Sequence, residues 1–147
     1  MIINTCSEAM SLAKELENKS TKFYQHLSER FPQNKEVFLS FMKENDNYIT
    51  QIDRAYYGVI TDAFEGCFAF TIDPEAYALQ TELMEKASYS EAIGRAIEIE
   101  EKIEKFYTDA AEQSKSLMAD IPRAFKMVAK KRGNRLSTLK SLPGKKD

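Results

Sequence analysis

The sequence is short of the residues that most often carry chemistry alone. It has one histidine, two cysteines and no tryptophan. Cys6 and Cys67 are far apart and form no Cys-x-x-Cys pair, which excludes a cysteine-rich zinc or iron–sulfur module. Two isolated cysteines read as reduced thiols in an intracellular setting. Five glycines and four prolines leave few breakers, so long helices are expected. No apolar run approaches the roughly 20 residues needed to cross a bilayer. The opening MIINTCSEAM lacks the basic-then-apolar layout of a signal peptide, so the expected compartment is the cytoplasm. One absence is local: from Ile121 to Gly144 there is no Asp, Glu or His.

What is present suits one all-α domain spanning residues 1–147, long enough to bury a core. The chain is 43% hydrophobic and 30% charged, with a net charge of −2. That charge is unevenly spread. From Ile121 onward nine Lys and Arg face one acid, giving +8 and leaving −10 on residues 1–120. The expected reading is a basic last helix docked on acidic neighbours in a bundle. Nucleic acid is not the expected partner, because KKRGNR resembles a nucleic-acid patch only in composition.

Hydrophobic spacing predicts four helices. The first runs from about Ser7 to Arg30, with Thr5 and Glu8 as a capping box, and stops at Phe31-Pro32. Its buried face is Met10, Ala13, Leu16, Ser20, Phe23, Tyr24 and Leu27. The second starts near Asn34 as N-cap and runs to about Ile60. The third starts after Ser88 or Ser90 and runs to about Gln113. The fourth opens with Asp120 as N-cap and Pro122 in its first turn, and ends before Pro143-Gly144. Short links make helices 1 and 2, and helices 3 and 4, antiparallel hairpins. Residues 61–89 form a long crossover, expected to be partly helical after Asp73-Pro74. Its aromatics (Phe64, Phe68, Phe70, Tyr77) are expected to cap the bundle, with a dimer contact as the alternative.

The hairpins resemble each other. Helix 1 reads LAKELENKSTKFY and helix 3 reads RAIEIEEKIEKFY, an offset of 83 that matches Glu17 with Glu100 and Tyr24 with Tyr107. Helix 2 reads FLSFMKENDNYITQI and helix 4 reads FKMVAKKRGNRLSTL, an offset of 87 that matches Asn45 with Arg132 and Tyr48 with Arg135. This pattern resembles the rubrerythrin-like branch of the ferritin-like superfamily, four-helix bundles with one long crossover. In that family helices 1 and 3 each give a Glu just before the Phe-Tyr pair. Helices 2 and 4 each give Glu-x-x-His. Those six side chains hold two iron ions used in ferroxidase, peroxidase or oxygen chemistry.

Carried over residue by residue, the six former metal-ligand positions are Glu17, Asn45, Tyr48, Glu100, Arg132 and Arg135. Only the two glutamates match. Moving helix 2 by one residue makes the pair Glu44 and Asn47, and helix 4 then offers Lys131 and Asn134. Neither option contains a histidine, and Glu44 lies about 100° off the apolar stripe. His26, nine residues after Glu17, falls on the opposite face and reads as a surface residue. The resemblance therefore implies a degenerate member without catalytic residues, bound metal or other cofactor, acting by binding or by assembly, with a homodimer as the expected oligomer. The alternatives are a metal-dependent oxidoreductase with an altered iron, manganese or magnesium site on Glu17, Glu100 and Glu44, and an anion or nucleic-acid binder acting through the core arginines after local opening or through the basic outer face of helix 4. Two carboxylates and two guanidinium groups balance in charge. The expected core is therefore a Glu–Arg network whose hydrogen bonds Asn45 and Tyr48 complete.

Overall fold

The computed structural model describes residues 1–59, 68–117 and 119–142. Helix α1 (Cys6–Arg30) begins where the Glu8 backbone N–H donates to the Thr5 hydroxyl and the Thr5 N–H donates back to the Glu8 carboxylate, both at 3.1 Å. This is the expected capping box. Pro32–Asn34 form a 3-10 turn into α2 (Lys35–Val59). Asn34, expected to cap α2, lies within that turn and donates its side-chain amide to the Tyr89 hydroxyl. Helix α3 (Tyr89–Gln113) opens on a second capping box, Ser88 with Glu91. Helix α4 (Asp120–Ser141) departs from expectation at its start. Ala119 holds the cap position with no side-chain bond. Asp120 is already helical, and its exposed carboxylate turns along the helix to Arg123 at 3.4 Å.

The four helices form a bundle, and specific pairs give its directions. Lys14 meets Asp53 at 2.9 Å and Asn45 meets Ser20 at 3.0 Å, so α1 and α2 are antiparallel. Tyr107 meets Phe125, with ring centres 6.2 Å apart, while Arg132 meets Glu100, so α3 and α4 are antiparallel. Tyr24 meets Glu100 and Tyr107 meets Glu17, so α1 and α3 are antiparallel as well. It follows that α2 and α3 run parallel, and the chain must travel the length of the bundle between them.

Among its described residues that return path is mostly not helical. Phe68–Ile72 form a strand (β2) paired antiparallel with Ile3–Thr5 (β1), with Ile3 opposite Ile72 and Thr5 opposite Phe68. The short sheet was not expected from the helical pattern. Its signal was local: Phe-Ala-Phe-Thr-Ile is rich in strand formers, and Phe70 and Ile72 are buried while Thr71 is exposed. The helix expected after Asp73-Pro74 is a single 3-10 turn, Pro74–Tyr77, capped by the Asp73 carboxylate at 3.0 Å from the Glu75 N–H. Beyond it the chain runs down α3 without a partner strand, so its carbonyls accept from long basic side chains instead. Arg95 donates to the carbonyls of Gln80 and Glu82, both at 3.1 Å, and Arg30 donates to those of Glu85 and Ala87 at 2.5 and 2.8 Å.

Phe70 and Tyr77 are buried within the chain itself, where the Tyr77 hydroxyl donates to Asp109 and its ring meets Phe106 edge-on. They cap the bundle. Phe64 and Cys67 lie outside the described residues, and Cys6 is buried at the start of α1. The expected face of α1 is buried throughout, while Met42 and Ile49 of α2 and Ile93 and Ile97 of α3 are partly buried. No described helix is long and apolar enough to cross a membrane.

Gly133 sits mid-helix in α4, where a β-carbon would stand 2.7 Å from Oε2 of Glu104. That oxygen ends a flexible, partly exposed side chain and can swing aside. Gly133→Ala should therefore stabilise the fold by up to about 1 kcal/mol through helix propensity. A rise of about 2–4 °C in a thermal melt is expected for a chain of this size; a fall would mean that Glu104 cannot move.

Candidate functional site

Helix α1 buries Leu16, Ser20, Phe23, Tyr24 and Leu27, a stripe that carries Glu17 inward with it. In α3 the same geometry turns Glu100 inward among Ala96, Ile99, Ile103 and Tyr107. Both carboxylates are fully buried. Because α1 and α3 are antiparallel, each tyrosine of the repeat reaches the other helix's glutamate. Tyr24 donates to Oε2 of Glu100 and Tyr107 donates to Oε2 of Glu17, both at 2.6 Å. The internal repeat thus appears in space as an exchange of equivalent contacts.

Helix α4 supplies the positive charge. Arg132 has no exposed surface. Its Nη1 donates to both oxygens of Glu100 at 2.8 Å, and its Nη2 donates to Oε1 of Glu17 and, at 3.0 Å, to Oδ1 of Asn45. One guanidinium therefore bridges both buried carboxylates. Arg135, one turn later, donates from Nη1 to Asn45 at 2.9 Å and Glu100 at 3.2 Å. Its Nη2 donates to the Phe41 carbonyl at 3.2 Å and to Glu44 at 3.0 Å.

Asn45 is the junction. Its carbonyl oxygen accepts from both arginines, and its amide donates to Ser20 at 3.0 Å and Thr21 at 3.1 Å. A neutral acceptor between two cations carries no desolvated charge of its own. Tyr48 takes its expected part, with a side-chain hydrogen bond to Arg135, and adds another. It offers its ring face to both guanidinium groups, whose central carbons lie 5.4 and 5.6 Å from the ring centre. Phe41 lies closer to Arg135, at 4.5 Å.

All six residues singled out from the sequence thus meet in the centre of the bundle. His26 stays on the surface. Tyr24 and Tyr107, expected as packing, also serve as hydrogen-bond donors. The available signal was the seven-residue offset that sets each near the azimuth of its glutamate. Glu44 reaches the network from the rim, with its side chain 49% exposed. The expected docking of basic α4 on acidic neighbours holds only for Arg132 and Arg135; Lys126, Lys130, Lys131 and Lys140 face solvent. Charge alone does not turn a side chain inward: these lysines lie off the stripe of Val128, Arg132, Leu136 and Leu139.

Burial penalises every ion here, and the partners decide the outcome. Burial pushes the Glu100 carboxyl up, but Arg132, Arg135 and the Tyr24 hydroxyl together bring it below the usual 4.5. Burial also pushes Glu17 up, and Arg132 and Tyr107 offset only part of this, so it ends above 4.5. Arg132 is held protonated against burial by Glu100 and Glu17. Burial and the neighbouring carboxylates drive both tyrosine hydroxyls well above their ordinary range, so both remain donors. Among the described residues no acceptor meets the Nε of either arginine, and no group of three or more His, Cys, Asp or Glu could hold a metal ion.

Compared with known proteins, the chain matches no family model, no curated protein and no solved structure.

Removing one partner of such a pair strands the other in a dry core. Arg132→Ala should cost about 3–5 kcal/mol, whereas Glu17→Gln combined with Arg132→Met should cost less. Denaturant melts would reverse this reading if the double variant were the weaker. The two glutamates should also part company with pH. Glu100, with its lowered pKa, stabilises the fold above its unfolded value, and that contribution is lost as pH falls through the folded one. Glu17, with its raised pKa, favours the folded chain as it gains a proton. The penalty of Glu100→Gln should therefore shrink between about pH 6 and about pH 3, while that of Glu17→Gln should not. Melts of the three proteins across this range test it.

Proposed function

We propose that the chain is a degenerate member of the rubrerythrin-like branch of the ferritin-like superfamily, in which a Glu–Arg network replaces the di-iron centre. It acts without catalysis, as a binding or assembly protein. The observation that carries this reading is Arg132, whose guanidinium lies between Glu17 and Glu100 and donates to both. These are the two carboxylates that the resemblance assigns to iron.

The residues present do not fit two iron ions. A guanidinium has only N–H donors and no lone pair to offer a metal, and it stays protonated at any pH the fold survives. The remaining donors at the six positions are one neutral amide and one phenol, which with two carboxylates fall short of the four carboxylates and two imidazoles of a di-iron site. An all-oxygen site on Glu17, Glu100 and Glu44 finds no support either, because Arg135 lies between Glu100 and Glu44 and donates to both. The reading includes a cytoplasmic setting and a homodimer. The isolated cysteines support the first, and the habit of related folds supports the second.

The test is metal content. Protein grown in iron- and manganese-rich medium and purified without chelators should carry close to no metal per chain. About two metal ions per chain would overturn the proposal. Restoring Asn45→Glu, Tyr48→His, Arg132→Glu and Arg135→His together should bring about two iron ions per chain. Failure of that variant to bind while folded would overturn the assigned positions.

A further inference from the structure

Arg135 is nearly inaccessible, yet it lines a surface opening. A cavity of about 200 Å³ lies between α2 and α4, with Arg135, Tyr48 and Phe41 among its walls. Around its mouth stand Asn47, Lys131, Asn134 and Thr138, all exposed, and every one carries N–H or O–H donors. Glu44 is the sole acid in the lining. The opening is therefore a ring of donors with a buried guanidinium in its wall and a single carboxylate already inside.

The way Arg135 spends its donors shows what that carboxylate does. Nη1 is committed inward, to Asn45 and Glu100. Of the two acceptors on Nη2, the Phe41 carbonyl is fixed backbone, but Glu44 comes from the rim on a side chain 49% exposed. Glu44 is not held by the core as Glu17 and Glu100 are. It can leave for water at the modest cost of a partly exposed ion pair. Its departure would free one N–H of Nη2, a charge-assisted donor for a carboxylate oxygen. The Phe41 ring, 4.5 Å from the guanidinium carbon, gives a short alkyl chain an apolar surface. The volume is below the roughly 300–1,000 Å³ of common ligand pockets, which sets the occupant at a few carbons.

We infer that this opening binds the carboxylate group of a small organic acid, which displaces Glu44 from Arg135. Glu44 is then a built-in stand-in for the ligand, keeping the Arg135 charge answered while the site is empty of it. The inference rests on the geometry of the opening and not on the descent of the fold, so metal content leaves it untouched.

The probe is propionate, titrated at constant ionic strength against chloride, with the thermal midpoint as readout. Wild type should show a saturable rise. Glu44→Ala should reach half-saturation at about fivefold lower propionate, since it removes a competitor worth a partly exposed ion pair. Thr138→Leu fills the opening without touching the ion network and should abolish the response. Glu44→Ala with Arg135→Met should abolish it too. No saturable shift in wild type up to about 50 mM propionate overturns the inference, even if Glu44→Ala responds, because Glu44 is then a permanent counter-ion. An undiminished response in Thr138→Leu places the effect elsewhere and also overturns it. Inorganic phosphate acting as well as propionate overturns the carboxylate class.

Discussion

Two carboxylates taken wholly out of water set the terms for the rest of this molecule. An isolated buried carboxylate would take up a proton or keep the core from drying. Glu17 and Glu100 instead stand 83 positions apart in a repeated helix and face the same point, where one guanidinium answers both. Everything nearby follows from that demand. Arg132 is planar and needs acceptors on two sides; Asn45 supplies a neutral one; Ser20 and Thr21 absorb the amide that Asn45 must then satisfy. The aromatic rings of Tyr48, Tyr24 and Phe41 face the flat cations where water would otherwise stand.

The repeat is symmetric in its acids and asymmetric in its bases. Both tyrosine–glutamate pairs have the same length, yet the two glutamates move in opposite directions in acidity. The cause lies in the second helix of each hairpin. Helix α2 brings Asn45 and Tyr48 to the centre, whereas α4 brings two cations. Glu100 accepts from Arg135 and, on both of its oxygens, from Arg132, while Glu17 accepts from one arm of one arginine. Nearly identical local sequences thus acquire different charge behaviour from the chain that packs over them.

Periodicity made most of this legible. Helical spacing located four helices and the faces they bury, because a long amphipathic helix repeats its signal over many turns. The six central residues came from the internal repeat and the resemblance it carries, with Asn45, Arg132 and Arg135 also marked by their place on an apolar stripe. Short elements escaped it. Residues 68–72 make a strand only because Ile3–Thr5 offers an edge, and nothing near them in sequence announces that partner. Asn34 and Asp120 carry good capping side chains, but in the fold each meets another partner, Tyr89 and Arg123. The role of Tyr48 as a ring surface was hidden for the same reason: its partners are 84 and 87 positions away.

The bridge from Arg132 to Glu17 spans 115 residues of chain. On a ribosome, this means that the first hairpin emerges with a carboxylate on its apolar face and no counter-charge yet made. The α1–α2 pair can form helix and can touch, but drying its centre without α4 would leave Glu17 either charged and unanswered or protonated. A dry, charged centre in the first hairpin therefore depends on α4, whose Arg132 answers Glu17.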